Sequence, residues 1–266
     1  MMRAALGMFV FAVMSGHALA GQPLFHADFE GDSAGPYTMA AMDVDFRHPA
    51  WEDGVAEGHA NIVATGCGKA LRINYPAGQI GQGVNIPVAL SRRDALYLAY
   101  RVYFPPGFDF VKEGKLSGLC GGTCNSGGHP PNGHDGWSSR IIWQKGGQAA
   151  QYVYRPRQTD KYGDTDLWSP GVLTPGTWHF VQTYVRVNTP GKADGLIVSW
   201  LDGKRAYTAR HVVLRDTDAF AIDAFHFETF FGGGTADYAP ATEQYALFDD
   251  ITVSDRKIRQ PRVTCP

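Results

Sequence analysis

The sequence predicts an all-β fold, a single-domain β-jelly roll in which two antiparallel sheets pack as a sandwich. Apolar and polar residues alternate at a spacing of two in many short runs, turn residues separate these runs, and no long stretch has a helical period. The 32 glycines suit a fold with many tight turns. No repeat, charge block or Pro/Ser linker divides the chain, so residues 21–266 are expected to form one domain.

The first 20 residues have the pattern of a secretory signal peptide. Arg3 is followed by an apolar run from Ala4 to Met14, and the segment ends with Ala18-Leu19-Ala20. The apolar run is too short to span a bilayer. We therefore expect cleavage after Ala20 and a secreted or periplasmic protein without membrane attachment.

The first and last strand candidates are expected to be neighbours. They are the segments PLFHADFEGD, which opens the mature chain, and YALFDDITVSD, which lies near its end. Their carboxylates Glu30 and Asp249 could supply oxygen ligands to a structural calcium ion. Ordinary surface carboxylates are the alternative interpretation. Residues 31–60 show little periodicity and are expected to form loops.

Further strands are predicted along the middle of the chain. They are ALRINYP, QGVNIPVAL, ALYLAYRVYF, residues 178–188, residues 196–205 and IDAFHFETFF. In ALYLAYRVYF, Leu96, Leu98 and Tyr100 fall on one face and Arg101 falls on the other. In residues 178–188, the valines at alternate positions favour burial, so Gln182 and Arg186 should point outward.

A hairpin is predicted at the centre of the chain. Strand-like residues 137–144 and 148–155 flank Lys-Gly-Gly, and glycine suits the positive φ that a three-residue loop requires. With this turn, four polar side chains share one face of one sheet: Arg140 lies opposite Tyr152, and Ser138 lies opposite Tyr154. A two-residue turn would shift the register by one and scatter them.

Five segments, in order, resemble polysaccharide lyases of family 14 and the related family 20. They are FPPGFDFVKEGKLSGLCGG, SSRIIW, YVYRPRQ, GTWHFVQTYVRVNTPGKADG and FHFETFFGGG, and the match covers roughly residues 96–253. The resemblance implies a secreted β-jelly roll that cleaves alginate or glucuronan by β-elimination. It also implies an active site at Lys115, Ser138, Arg140, Tyr152 and Tyr154.

The chemistry of β-elimination gives these residues roles. A base removes the hydrogen at C5, a cation stabilises the adjacent carboxylate, and an acid protonates the departing O4, so no cofactor is required. Arg140 is the expected neutraliser, because its planar guanidinium binds a carboxylate in two places. Tyr152 or Tyr154 is the expected base and acid, with a pKa lowered by neighbouring cations. Lys115 shares the base role or holds the carboxylate.

Four other side chains are candidates for substrate binding. Arg101 is expected to point into the same cleft as Lys115 or into solvent. Gln182 and Arg186 are candidate uronate ligands on an outward strand face. His134 lies in a histidine-rich loop, where it could assist proton transfer or bond locally.

The four cysteines predict two disulfides in an exported protein. Cys120 and Cys124 flank a Gly-Gly-Thr turn, which favours a local bridge and leaves Cys67 to pair with Cys265. A zinc site that uses Cys120, Cys124, His129 and His134 is the alternative.

Charge and motif content limit the classes of partner and of activity that the protein can have. The chain has 24 basic and 26 acidic residues, with no basic stripe that would predict a nucleic-acid partner. An acidic polysaccharide must then be attracted by local cations in a cleft. A monomer is expected. A glycoside hydrolase is one alternative, but Glu228 has no second carboxylate two or four residues away on its strand face. A non-catalytic carbohydrate-binding module or lectin is the other.

Overall fold

The computed structural model describes residues 23–66 and 68–261. The expected signal peptide, residues 1–20, lies outside the described residues. So do Cys67 and Cys265, and the bridge expected between them stays a prediction.

The described residues form two antiparallel sheets, which confirms the predicted β-sandwich. Strands are numbered in chain order. One sheet has nine strands: β1 (Phe25–Ala27), β2 (Gly35–Pro36), β3 (Ala60–Thr65), β4 (Gly68–Tyr75), β6 (Ala95–Tyr103), β11 (Trp178–Arg186), β12 (Gly195–Leu201), β13 (Lys204–Val212) and β15 (Gln244–Ser254). The other has six strands: β5 (Gly83–Arg93), β7 (Glu113–Gly122), β8 (Gly136–Gln144), β9 (Gln148–Tyr154), β10 (Asp164–Val172) and β14 (Ile222–Phe231).

The strand order explains how distant segments meet. The six-stranded sheet runs β10-β9-β8-β7-β14-β5, so the central hairpin β8–β9 lies beside β7 and close to the late strand β14. The nine-stranded sheet runs β13-β12-β11-β6-β15-β4-β3-β2, and β1 also pairs with β15. The first and last strands are therefore neighbours, as predicted, with Phe25 opposite Val253.

Alternation along the strands builds the core between the sheets. Leu96, Leu98 and Tyr100 of β6 are buried on the predicted face. From the six-stranded sheet, Trp143 and Phe231 pack with ring centroids 5.3 Å apart. Because successive side chains of a strand point to opposite faces, polar residues between these core positions point away from the core.

Residues 31–60 differ from the expectation of loops alone. They contain the short strand β2 and one helix, α1 (Met39–Asp45). Thr38 caps the helix, since its hydroxyl accepts from the backbone N–H of Ala41 at 3.1 Å. Met42 and Phe46 are both buried in the core. A seven-residue helix is too short to give a clear period in the sequence, and the buried pair became visible only through its tertiary contacts.

Within residues 23–66 and 68–261, no helix has the length and apolar character needed to cross a membrane.

Candidate active site

The central hairpin has the three-residue turn that the sequence predicted. Lys145–Gly147 form a single helical turn between β8 and β9, and Gly146 has a positive φ of 74°. Arg140 lies opposite Tyr152, and Ser138 lies opposite Tyr154. The prediction of this register is confirmed, and the alternative two-residue turn is wrong.

The outward face of the six-stranded sheet forms a cleft of about 590 Å³ over this hairpin. Side chains from all six strands line it, among them Asn85 (β5), Glu113 and Lys115 (β7), Arg140 (β8), Tyr152 and Tyr154 (β9), Thr165 (β10) and Glu228 (β14). Tyr162 and Tyr238 contribute from loops. Four of the five predicted catalytic residues thus share one cleft, and the exception is Ser138.

Arg140 is held by a buried ion pair at the centre of the cleft. Its Nη1 donates to Oε1 of Glu228 at 2.9 Å, and the two side chains are 7% and 2% exposed. Burial opposes the charge of Arg140, but Glu228 more than offsets this and raises the pKa of Arg140. The guanidinium therefore stays charged while its position is fixed.

A glycine permits the close approach of β7 to Arg140. A Cβ atom at Gly118 would lie 2.2 Å from the backbone oxygen of Ser139 and 2.5 Å from Cα of Arg140. Both contacts are with backbone or Cα atoms, which cannot turn away. Any side chain at position 118 would therefore push β7 away from β8 and displace the backbone of Arg140.

Lys115 lies between a carboxylate and an aromatic ring. Its Nζ donates to Glu113, and it lies 4.5 Å from the ring centroid of Tyr152. Burial lowers the pKa of Lys115, and Glu113 opposes that shift. A lysine with a lowered pKa loses its proton more readily, so this amine is suited to act as a base.

The pKa of Tyr152 differs from expectation. We predicted that nearby cations would lower the pKa of the catalytic tyrosine. Burial instead raises the pKa of Tyr152, and its hydrogen bond with Tyr154 adds to the effect, so the lowering due to Arg140 is outweighed. The two hydroxyl oxygens are 3.4 Å apart. Tyr152 therefore retains its proton and is suited to donate it.

Ser138 and Tyr154 connect the cleft to a neighbouring loop. The hydroxyl of Ser138 donates to the backbone oxygen of Asn125 at 2.6 Å, and Ser138 does not line the main cleft. The backbone N–H of Gly128 donates to the hydroxyl of Tyr154 at 2.9 Å. Ser138 thus positions a loop, and its assignment as a catalytic group stays a prediction.

The same loop begins at a disulfide between Cys120 and Cys124, as predicted. The nearest metal-ligating side chain is His226 rather than His129 or His134. Because both thiols are consumed by the bridge, the zinc interpretation is wrong.

The four candidate substrate-binding residues do not reach the cleft. Arg101, Gln182 and Arg186 belong to β6 and β11 of the nine-stranded sheet, on the other side of the core. Gln182 bonds the backbone of Ile258. His134 is exposed in its loop and does not line the cleft. The outward strand face was predicted correctly for Gln182 and Arg186. Their placement at the substrate cleft was not, because alternation along a strand shows which residues share a face but not which sheet the strand joins.

The candidate calcium ligands both have protein partners. Oε1 of Glu30 accepts from the backbone N–H of Lys69 at 2.9 Å, and Oδ2 of Asp249 accepts from Arg101 at 3.0 Å. Burial raises the pKa of Asp249 to about 7, and nearby Asp250 adds to this effect. The calcium interpretation stays a prediction.

Of the four charged residues that line the cleft, the sequence analysis missed one and gave another a different role. Glu113 was not singled out, although it lies two residues before Lys115 and therefore on the same strand face. Glu228 was considered only as a hydrolase carboxylate. The strand face of Glu228 could be inferred from the sequence. Its pairing with Arg140 could not, because the two residues are 88 positions apart.

Comparisons with known proteins identify the family to which the chain belongs. The family model for polysaccharide lyase 14 matches residues 64–251. The marine PL-14 alginate lyase from Aplysia kurodai is 25% identical, with a TM-score of 0.75 over 88% of this chain and 99% of that chain. Among curated proteins, none matches the chain significantly.

Two further structures share the fold. A double variant of alginate lyase Aly36B in complex with an alginate tetrasaccharide is 22% identical, with a TM-score of 0.78 over 90% of this chain and 100% of that chain. The endo-β-1,4-glucuronan lyase from the fungus Trichoderma reesei is 13% identical, with a TM-score of 0.52 over 84% of this chain and 94% of that chain. The family match covers well over half of the sequence, and the protein is therefore a member of polysaccharide lyase family 14.

Proposed function

We propose that this lyase is an exported enzyme that cleaves (1→4)-linked uronic acid polysaccharides, alginate or glucuronan, by β-elimination to give unsaturated oligosaccharides. The observation that carries the proposal is the placement of Lys115, Tyr152 and Arg140 around one cleft. The substrates printed for the similar structures, alginate and glucuronan, support the choice of polymer class.

Lys115 is the base in this proposal. Its neutral amine takes the proton from C5, and the electron pair of that C–H bond becomes the C4–C5 double bond as the C4–O4 bond breaks. Lysine is preferred to tyrosine for this step because burial lowers the pKa of Lys115 and raises that of Tyr152.

Tyr152 is the acid that completes the reaction. Its phenolic proton passes to the departing O4, which leaves as a hydroxyl group of the shortened chain. Lys115 then holds one extra proton and Tyr152 lacks one. Because Nζ of Lys115 lies 4.5 Å from the ring of Tyr152, the proton can return over a short path and restore both groups.

Arg140 stabilises the substrate carboxylate as negative charge develops on it. A preorganised cation in a site that excludes water often gives the largest single contribution to catalysis. Its ion pair with Glu228 holds the guanidinium in place before substrate arrives, so little reorganisation is required during the reaction. No cofactor enters any of these steps.

One observation in the cleft favours the hydrolase alternative and another opposes it. Glu113 and Glu228 both line the cleft, so a second carboxylate is present after all. Each is committed to a cation, Glu113 to Lys115 and Glu228 to Arg140. Glycoside hydrolysis requires one carboxyl to donate a proton and the other to attack or activate water. A non-catalytic lectin would not require Lys115, Tyr152 and Arg140 to lie together in one cleft.

Export is supported by two features of the chain. The sequence of residues 1–20 has the pattern of a signal peptide, and the Cys120–Cys124 disulfide suits an oxidising compartment. Together they favour a secreted or periplasmic location, where the polymer would be encountered.

The test is ultraviolet absorbance of the mature protein with polymannuronate, polyguluronate and glucuronan in separate reactions. Elimination creates a conjugated C4–C5 double bond, so absorbance should rise with at least one polymer and not with the Lys115→Ala variant. New reducing ends without absorbance would instead establish a hydrolase. Binding without either signal would establish a lectin.

A further inference from the structure

The outward face of β11, β12 and β13 carries many exposed cations. The C-terminal segment 255–260 lies across it, since Gln182 exchanges two hydrogen bonds with the backbone of Ile258 at 3.0 and 3.1 Å. Strands and segment together form the basic face, whose six exposed cations are Arg186, Arg205, Arg210, Arg256, Lys257 and Arg259. This face belongs to the nine-stranded sheet, on the other side of the core from the cleft.

Within the described residues these cations form no ion pair. Two aspartates nevertheless flank Arg186: Asp94 precedes its strand partner Ala95, and Nη2 of Arg186 donates to the backbone oxygen of Asp194 at 2.9 Å. The strands β11, β12 and β13 contain no aspartate or glutamate, and Asp255 is the one acidic residue in segment 255–260. The whole chain has a net charge of −2, so this positive charge is a local concentration.

The spacing of the cations suits a repeating anion. Arg186 lies opposite Leu196, which lies opposite Arg210 on the next strand. Two strand spacings separate the arginines by about 10 Å. Arg205 lies opposite Trp200, five residues before Arg210 on β13. A single small anion would meet one cation at most, whereas a polymer with a charge on every unit can meet several.

Packed aromatic rings lie beside these cations on the outward face of the nine-stranded sheet. Tyr97 and Tyr184 lie side by side with centroids 4.5 Å apart, and Nζ of Lys257 lies 4.4 Å from the ring centroid of Trp200. Arginine side chains suit carboxylates through bidentate hydrogen bonds.

We propose that the basic face is a second, non-catalytic binding site for an anionic polysaccharide. A groove of about 380 Å³ beside segment 255–260, lined by Gln182, Lys257 and Arg259, lies toward one end of this face, and Arg186 and Arg210 lie toward the other, so a polymer that contacts both runs along the face. The choice of a polyuronate as ligand rests on the proposed function, because the cleft would act on the same polymer. Binding there holds the enzyme on its substrate between cleavage events and raises the local concentration of chain near the cleft.

The test uses an Arg186→Gln/Arg210→Gln double variant in the Lys115→Ala background, which leaves the polymer intact. Native electrophoresis in gels with and without alginate measures retardation by the polymer. The double variant should bind about tenfold more weakly, with a salt dependence smaller than that of the parent. The control is Lys145→Gln, which removes an exposed cation at the turn between β8 and β9 of the six-stranded sheet and should bind as the parent does.

Kinetics with an intact cleft provide the second measurement. The double variant with Lys115 present should turn over short oligouronates at the parental rate, while its KM for the polymer should rise several-fold. Unchanged retardation and an unchanged KM would overturn the proposal. Equal retardation by single-stranded DNA would overturn the assignment to a polysaccharide.

The two proposals fail separately in these experiments. If the parent eliminates no uronan but the basic face still governs retardation, the proposed reaction is wrong and the second site stands. If elimination is observed and the double variant matches the Lys145→Gln control, the second site is wrong and the reaction stands. Thermal unfolding of every variant shows whether the fold is intact.

Discussion

Each sheet contains a buried arginine bonded to a carboxylate on a distant strand. In the six-stranded sheet, Arg140 bonds Glu228 at 2.9 Å, and in the nine-stranded sheet, Arg101 bonds Asp249 at 3.0 Å. Both arginines are 6% exposed, and each lies over an aromatic ring: Arg140 is 5.2 Å from the ring centroid of Tyr152, and Arg101 is 4.6 Å from that of Trp178.

The surroundings of the two pairs differ. Arg140 and Glu228 line the cleft together with Lys115, whereas Arg101 does not line it. A second carboxylate, Asp250, lies 3.6 Å from Arg101. Under the proposed function, the same pair of residue types contributes to catalysis in one sheet and to structure in the other. What decides between them is the presence of a base and an acid beside the guanidinium, and access to the substrate.

The largest effects are expected beside the Arg140 pair. Lys115→Ala removes the proposed base and Tyr152→Phe removes the proton of the proposed acid, so each should lower kcat by about 10² to 10⁴-fold. Initial rates of ultraviolet absorbance measure this loss. Near-parental rates in both variants, with intact circular dichroism, would contradict the assignment of the cleft.

The Arg101 pair should respond in stability and not in rate. Arg101→Ala leaves Asp249 buried without its cation, which should cost about 3 kcal/mol of unfolding free energy. Denaturant unfolding gives the stability and the absorbance assay gives kcat, which should stay within about twofold of the parent. A large loss of kcat in the folded variant would mean that Arg101 affects the cleft after all.

Asp249 should make stability depend on pH. Burial raises its pKa from 3.8 to about 7, so the folded state favours the protonated form. The sign follows from linkage: this stabilisation is complete below pH 4 and is lost as the pH rises through about 7. The parent loses this stability as the pH rises, whereas the Asp249→Asn variant does not titrate at this position. The Tm of the variant minus the Tm of the parent should therefore increase between pH 5 and pH 8. A constant difference across that range would contradict the raised pKa.

A smaller effect is expected when Glu228 keeps its shape but loses its charge. Glu228→Gln should lower kcat by roughly 10- to 100-fold, because Arg140 is held less firmly before reaction. Glu228 also raises the pKa of Lys115, so the acidic limb of the kcat/KM profile should move to lower pH. Asp249→Asn is the matched control in the other pair, and its profile should not move.

The sequence by itself determined the fold class and much of the catalytic face. Alternating runs and turn residues predict strands, because a period of two is a property of each strand alone. The Lys-Gly-Gly turn predicts the register that sets Arg140 opposite Tyr152, since a hairpin is a local structure. The Cys120–Cys124 bridge closes a similarly short loop.

Only the tertiary structure decided which strands share a sheet and what environment each charged group meets. Arg101 and Lys115 are 14 residues apart, yet their strands lie in different sheets, and no local period encodes that separation. Glu228 meets Arg140 because β14 packs beside β7. The protonation roles of Lys115 and Tyr152 depend on the same long-range packing, because burial is what moves their pKa values in opposite directions.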